Sequence, residues 1–136
     1  MITAVDTNVL LDIFGRDSRF CETSAEALRL CHKEGRLVVC DIVLAELAAV
    51  FLDPDLLKKQ LESLSLSFQA VSEDAALLAG EMWRSYRKRG GTRERLVADF
   101  LVAAHAQAQC DRLLSRDRGF YRKHFPRLRL LDPAAP

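Results

Sequence analysis

The chain has 136 residues, 49% hydrophobic and 29% charged, with 20 Lys and Arg against 19 Asp and Glu for a formal net charge of +1. That balance excludes a disordered or fibrous chain, and the length supports one core without covalent or metal staples, so residues 1–136 read as one domain. The four cysteines, at 21, 31, 40 and 110, form no CxxC pair, so neither a zinc site nor a disulfide framework is supported and they read as reduced, structural thiols of a cytoplasmic protein.

Met1 to Val5 is a short apolar strand ending at Asp6-Thr7-Asn8, and Val9 to Phe14 reads as a turn of helix. Asp6 and Asp12 interrupt this segment, so no signal peptide is expected. Gly15 to Phe20 is a polar loop, followed by an amphipathic helix from Cys21 to Glu34 closed by Gly35. Arg36 to Cys40 is a second buried strand, and Asp41 caps a helix from Ile42 to Phe51. Glu46 sits on that helix with apolar residues at its neighbouring turns, an expensive place for a carboxylate that has no job. The apolar run from Ile42 to Leu52 is too short to cross a bilayer, so no membrane partner is expected.

Asp53-Pro54 opens a helix to about Ser63 by the cap-then-proline rule. Ser67 to Val71 alternates as a half-buried strand, and Ser72 caps a long helix from Glu73 to about Arg89. Gly90-Gly91 ends it, and Thr92-Arg93-Glu94 leads into a largely apolar helix over Leu96–Ala108 that carries Asp99 near its start. Leu113 to Ser115 reads as a strand buried on both faces, delivering Asp117 to its carboxyl end. Gly119 to Phe125 reads as a loop, Leu128 to Leu131 as a last strand, and Asp132-Pro133 as its terminator.

Repeated strand–helix units predict a three-layer α/β/α sandwich with a mainly parallel sheet of four to five strands. Right-handed crossovers bring the strand tips to one edge, where Asp6 and Asp117 lie, with Glu46 and Asp99 in the first turns of helices leaving that edge. Four converging carboxylates repel one another unless protons or a multivalent cation intervene. Hard oxygen donors with no Cys or His in register select Mg²⁺ or Mn²⁺.

Charge is unevenly spread. Residues 84 to 129 hold 13 of the 20 basic residues and 4 of the 19 acidic ones, which suggests a polyanionic partner. Arg87, Lys88, Arg89, Arg116, Arg118, Arg122 and Lys123 are candidate phosphate contacts, and Tyr121 a candidate base-stacking group. Phe120 and His105 read as core residues instead. No P-loop, GxGxxG or GxSxG motif occurs. A phosphoacceptor receiver lacks its acid pair and late lysine here, and a haloacid-dehalogenase nucleophile motif would need Asp where Asn8 stands.

Four blocks in order, AVDTNVLLDIF, DIVLAELAAV, VADFLVAAHA and LLSRDRGFYRKHFPRLRLLDP, resemble the PIN-domain ribonucleases, and within them the VapC-type toxins of toxin–antitoxin pairs. The resemblance spans almost the whole chain. It implies that Asp6, Glu46, Asp99 and Asp117 bind the metal and perform catalysis, with Thr7, Asn8 and Ser115 orienting ligands or water. Many relatives carry a further acid two positions after the last one, where this chain has Gly119. The family also implies an RNA substrate, a cognate antitoxin and a homodimer. Apolar residues on the helices Cys21–Glu34 and Pro54–Ser63 (Leu28, Leu30, Leu56, Leu57, Leu61), with Leu64 just beyond, leave a groove for a partner helix that would send an arginine into the acids. The rival reading is a module that binds metal and RNA without turnover.

Overall fold

Short, apolar stretches make the strands: β1 (Ile2–Val5), β2 (Arg36–Val39), β3 (Leu66–Phe68), β4 (Arg112–Leu114) and β5 (Leu130–Leu131). In the computed structural model, which describes residues 1–91 and 97–134, they form one sheet in the order β3-β2-β1-β4-β5. Every pairing is parallel. The central strands are buried on both pleat faces, β4 throughout and β1 and β2 except at their first residues, as required when helices cover both sides of a sheet.

The covering helices are α1 (Thr7–Phe14), α2 (Cys21–Glu34), α3 (Asp41–Val50), α4 (Pro54–Ser63), α5 (Glu73–Lys88), α6 (Val97–Gln109) and α7 (Arg118–His124). Asp53 and Ser72 cap α4 and α5 with side-chain hydrogen bonds to Asp55 N and Ala75 N, as the sequence predicts. Gly35 lets α2 turn directly into β2, because a Cβ there would collide with the Met1 carbonyl. The three-layer α/β sandwich is therefore the one expected. None of the described helices is long and apolar enough to cross a membrane.

Four local expectations are corrected. The segment Ser67–Val71 does not alternate as one strand: pairing with β2 ends after Phe68 with a last bond from Gln69 N to Val39 O, and Ala70 and Val71 bond side chains instead. Val71 N donates to Asp41 Oδ1 at 3.2 Å, and Gln109 Nε2 donates to Ala70 O at 2.9 Å. Asp41 thus serves this bend rather than capping α3, whose N-cap is Cys40. The last strand is only Leu130–Leu131, since Leu128 N turns back to Phe125 O.

Most consequentially, residues 119–125 are not a loop. Phe120, Tyr121, His124 and Phe125 recur on one face, are all buried, and make α7 a short amphipathic helix with its end. Phe120 and Phe125 flank the fully buried Phe100 of α6 at ring-centroid distances of 5.3 and 5.7 Å, while Tyr86 of α5 sits at 5.4 Å. This aromatic cluster pins α7 against α5 and α6. The lead-in Thr92-Arg93-Glu94 and the predicted helix start at Leu96 lie outside the described residues.

Candidate active site

The connection from β3 to β4 crosses over β2 and β1, so the direction of winding reverses between β1 and β4. Neighbouring loops there leave in opposite directions and open a crevice at the carboxyl ends of the strands. Asp6 closes β1 in that crevice, its N–H donating to Leu114 O of β4 at 3.0 Å.

Asp6 is 6% exposed, and its carboxylate is surrounded by donors. Oδ1 accepts from Thr7 N at 2.8 Å, an N-cap on α1. Oδ2 accepts from Ser115 Oγ at 2.8 Å and from Tyr121 Oη at 2.9 Å, with Asn8 Nδ2 at 3.4 Å. Capping and site assembly are thus done by one side chain. Burial nevertheless pushes the Asp6 carboxyl above the usual carboxylate range, against the pull of these donors, and the charge of Glu46 adds to the rise.

The other acids are linked to this centre less directly. Thr7 Oγ1 donates to Glu46 Oε1 at 2.8 Å, bridging α1 to α3. Asp99 lies in the first turn of α6 and Asp117 just before α7, both half-buried. Their charges, with that of Asp6, act on the Tyr121 hydroxyl, whose pKa burial has already driven far up. Tyr121 therefore stays protonated and donates to Asp6, with the charges of Asp99 and Asp117 also felt at its hydroxyl. Among the described residues no three Asp, Glu, His or Cys side chains stand grouped to ligate one ion as they are. In chemistry, the donors suit a hard divalent cation: they are carboxylates with no thiol or imidazole among them.

Glu46 differs from expectation. It sits in the second turn of α3, not the first, and both it and its neighbours Ala45, Ala48, Ala49 and Val50 are exposed. Of the apolar residues one turn away, Val43 is buried and Ile42 half-buried, while Ala49 and Val50 face solvent, so Glu46 sits at the edge of the buried face of α3.

Ser115 and Asn8 link the strand tips. Ser115 Oγ accepts from Asp117 N at 3.0 Å, while Asn8 Nδ2 reaches Ser115 Oγ at 3.2 Å and Asn8 Oδ1 accepts from Arg116 N at 3.1 Å. His105 is buried with Nε2 2.8 Å from Gln69 Oε1, and burial pushes its pKa down, so it is a packed core group.

Two of the expected RNA contacts are elsewhere engaged. Tyr121, 2% exposed and bonded to Asp6, cannot stack on a base. The Arg116 guanidinium grips the buried Asp12 through Nε to Oδ2 at 2.6 Å and Nη2 to Oδ1 at 2.9 Å. Arg87, Lys88, Arg89, Arg118, Arg122 and Lys123 are exposed, although Arg118 leans 3.4 Å from Asp132. Sequence reasoning missed Asp12 and the tie between Tyr121 and Asp6. The signal for Asp12 was present: an acid within VLLDIF is as anomalous as Asp99 within VADFLV.

A family model described as PIN domain matches residues 3–126. The chain belongs to the PIN domain family. No curated protein matches it in sequence. Among solved structures this PIN domain is similar to VapBC2 from Rickettsia felis, bound there to a promoter DNA fragment, with 22% identity, TM-score 0.75 and coverage of 97% of this chain and 98% of that one. VapBC-1 from nontypeable Haemophilus influenzae has 20% identity and TM-score 0.75 over 99% and 100% of the two chains. FitAcB from Neisseria gonorrhoeae has 22% identity and TM-score 0.68 over 98% of each.

A pH signature follows from the raised Asp6 pKa. The folded PIN domain holds this proton more tightly than the unfolded chain, so the associated stability is present at low pH and is lost as pH rises through the folded pKa. In metal-free buffer Asp6→Asn should therefore raise the melting temperature relative to the unsubstituted protein, by more at pH 8 than at pH 4. Calorimetric melts at the two pH values check it, and an advantage that shrinks as pH rises would contradict the assignment.

Proposed function

We propose that the protein is an Mg²⁺- or Mn²⁺-dependent endoribonuclease and the toxin of a VapBC-type toxin–antitoxin pair. The observation that supports the reading is Asp6, buried at the switch between β1 and β4, with Glu46 linked to it through Thr7 and the charges of Asp99 and Asp117 acting on the Tyr121 hydroxyl bonded to it. Membership of the PIN family supports nuclease chemistry.

In this reading the four acids hold the ion, which when bound supplies a water nucleophile and offsets charge on the scissile phosphate and leaving oxygen. The chain's own residues set the geometry. Thr7 orients Glu46, Ser115 and Tyr121 fix one oxygen of Asp6, and Asn8 holds the loop before Asp117. The exposed Arg87, Lys88, Arg89, Arg118, Arg122 and Lys123 contact the RNA backbone. No histidine is required, and products should carry 5′-phosphate and 3′-hydroxyl ends.

Asp99→Asn tests this directly. It should lower cleavage of an RNA substrate by at least about 10²-fold, in line with loss of a group that stabilises developing charge, and leave the fold intact by circular dichroism. Excess EDTA should silence the unsubstituted protein equally. Full cleavage in either case refutes the reading, whereas RNA and Mn²⁺ binding with no cleavage at all would support the non-catalytic module instead.

The toxin assignment rests on the similar structures, whose descriptions are of VapBC and of a toxin–antitoxin complex from Klebsiella pneumoniae. The expected partner groove is supported by a depression of about 280 Å³ lined by Ile13, Leu28, His32 and Leu64 among others, between α2 and the end of α4. Leu28, Leu57 and Leu61 are spent on the core and Leu64 is half-buried, while Leu30 and Leu56 remain exposed. The exposed Val50 and Leu52 beyond the acid-bearing face of α3 offer apolar surface for a homodimer. Inducible expression in the bacterial cytoplasm should arrest growth, and co-expression of the product of the adjacent reading frame should relieve it. Light scattering should find a dimer alone and a larger complex with that product. Harmless expression would remove the toxin assignment and leave the nuclease intact.

A further inference from the structure

We propose that Asp12 is a positioning residue: through a fork with Arg116 it fixes the β4–α7 loop that carries Ser115 and Asp117, so that Arg116 serves the site's geometry rather than RNA binding. The proposal rests on the nuclease reading above for its kinetic consequences. Its structural content stands apart from that reading.

Asn8 and Asp12 lie one turn apart on α1 and therefore on one face. That face grips the loop twice. Asn8 takes the Arg116 backbone N–H and reaches Ser115 Oγ, and Asp12 takes the Arg116 side chain through both carboxylate oxygens. The next residue is Asp117, whose N–H is itself held by Ser115 Oγ. Three consecutive loop residues are thus referred to the same helix that begins at Asp6.

The clamp is held from its far side. Ser24 Oγ of α2 donates to Asp12 Oδ2 at 2.9 Å, and the Phe20 ring lies under the guanidinium with its centroid 4.0 Å from Cζ. Asp12 is 3% exposed and Ser24 is fully buried. A carboxylate in that position is tolerable only while its cationic partner remains, and removing either member strands the other. The planar fork also matters: an ammonium presents a point charge and cannot span both oxygens in register. That separates the clamp from a phosphate contact, where lysine substitutes tolerably for arginine.

The test uses Asp12→Asn, Arg116→Lys, Arg116→Ala and the pair Asp12→Asn/Arg116→Ala, with Arg122→Ala/Lys123→Ala as the comparison for phosphate contact. Cleavage of a defined oligonucleotide gives kcat and KM, filter binding at several salt concentrations gives the salt slope, and hydrogen exchange reads residues 115–118. The clamp predicts that Asp12→Asn and Arg116→Lys each lower kcat roughly 10- to 100-fold, the scale of an ångström-level misplacement. KM and salt slope should stay near those of the unsubstituted protein, and the double variant should be no worse than the more damaging single one. Amides 115–118 should exchange about tenfold faster or more while α5 and α6 are unchanged. Arg122→Ala/Lys123→Ala should do the reverse, raising KM and flattening the salt slope. Normal kcat in Arg116→Lys, or a flattened slope in Arg116→Ala, would overturn the proposal in favour of a phosphate contact. Uniformly faster exchange across the whole chain would overturn it in favour of a general stability role. If the unsubstituted protein cleaves no RNA, the nuclease reading fails by itself, and local exchange at 115–118 still decides the clamp.

Discussion

A carboxylate buried at the end of the first strand, with the charge of Glu46 acting on it, is the constraint on which the rest of this protein turns. Asp6 is tolerated there because four groups from three parts of the chain point donors at it: Thr7 and Asn8 from α1, Ser115 after β4, and Tyr121 from α7. Each donor is available only if its own element is docked, so folding and site assembly are one event. The donors do not fully offset desolvation, and the raised Asp6 pKa is the residue of that imbalance.

The surrounding architecture serves that point. The reversal of winding between β1 and β4 opens the crevice, and the parallel ladder sets β1 and β4 in register with Val5 beside Leu114, so Asp6 and Ser115 leave their strands at the same level. The aromatic cluster around Phe100 then holds α7 so that Tyr121 faces inward, although α7 is only seven residues long and could not be stable by itself. Packing far from the acids therefore determines how one of them is hydrogen-bonded.

Much of this was legible in the sequence. Apolar runs with acids at their carboxyl ends located β1 and β4, and Asp53 and Ser72 announced their helices by local chemistry that tertiary contacts did not override. What failed was information that lies between segments. Glu46 has apolar residues one turn away on both sides, yet Val43 turns inward while Ala49 and Val50 face solvent, and only the docking of α3 decides that. Arg116 and Tyr121 were grouped with the RNA-facing cations and aromatics by composition, whereas a carboxylate about a hundred residues earlier claims each of them. The helix α7 was hidden by Gly119 and by a run of charges that drew attention from its one buried face.

The central claim is that these acids form one cation site. Mn²⁺ titration of the metal-free protein, followed by electron paramagnetic resonance of the free ion at pH 6 and pH 8, tests it most directly. Saturable binding that is tighter at pH 8, and that is lost in both Asp6→Asn and Asp99→Asn, is the predicted result, since the ion must displace a proton held near Asp6. Binding that survives both substitutions, or none at any pH, would contradict it.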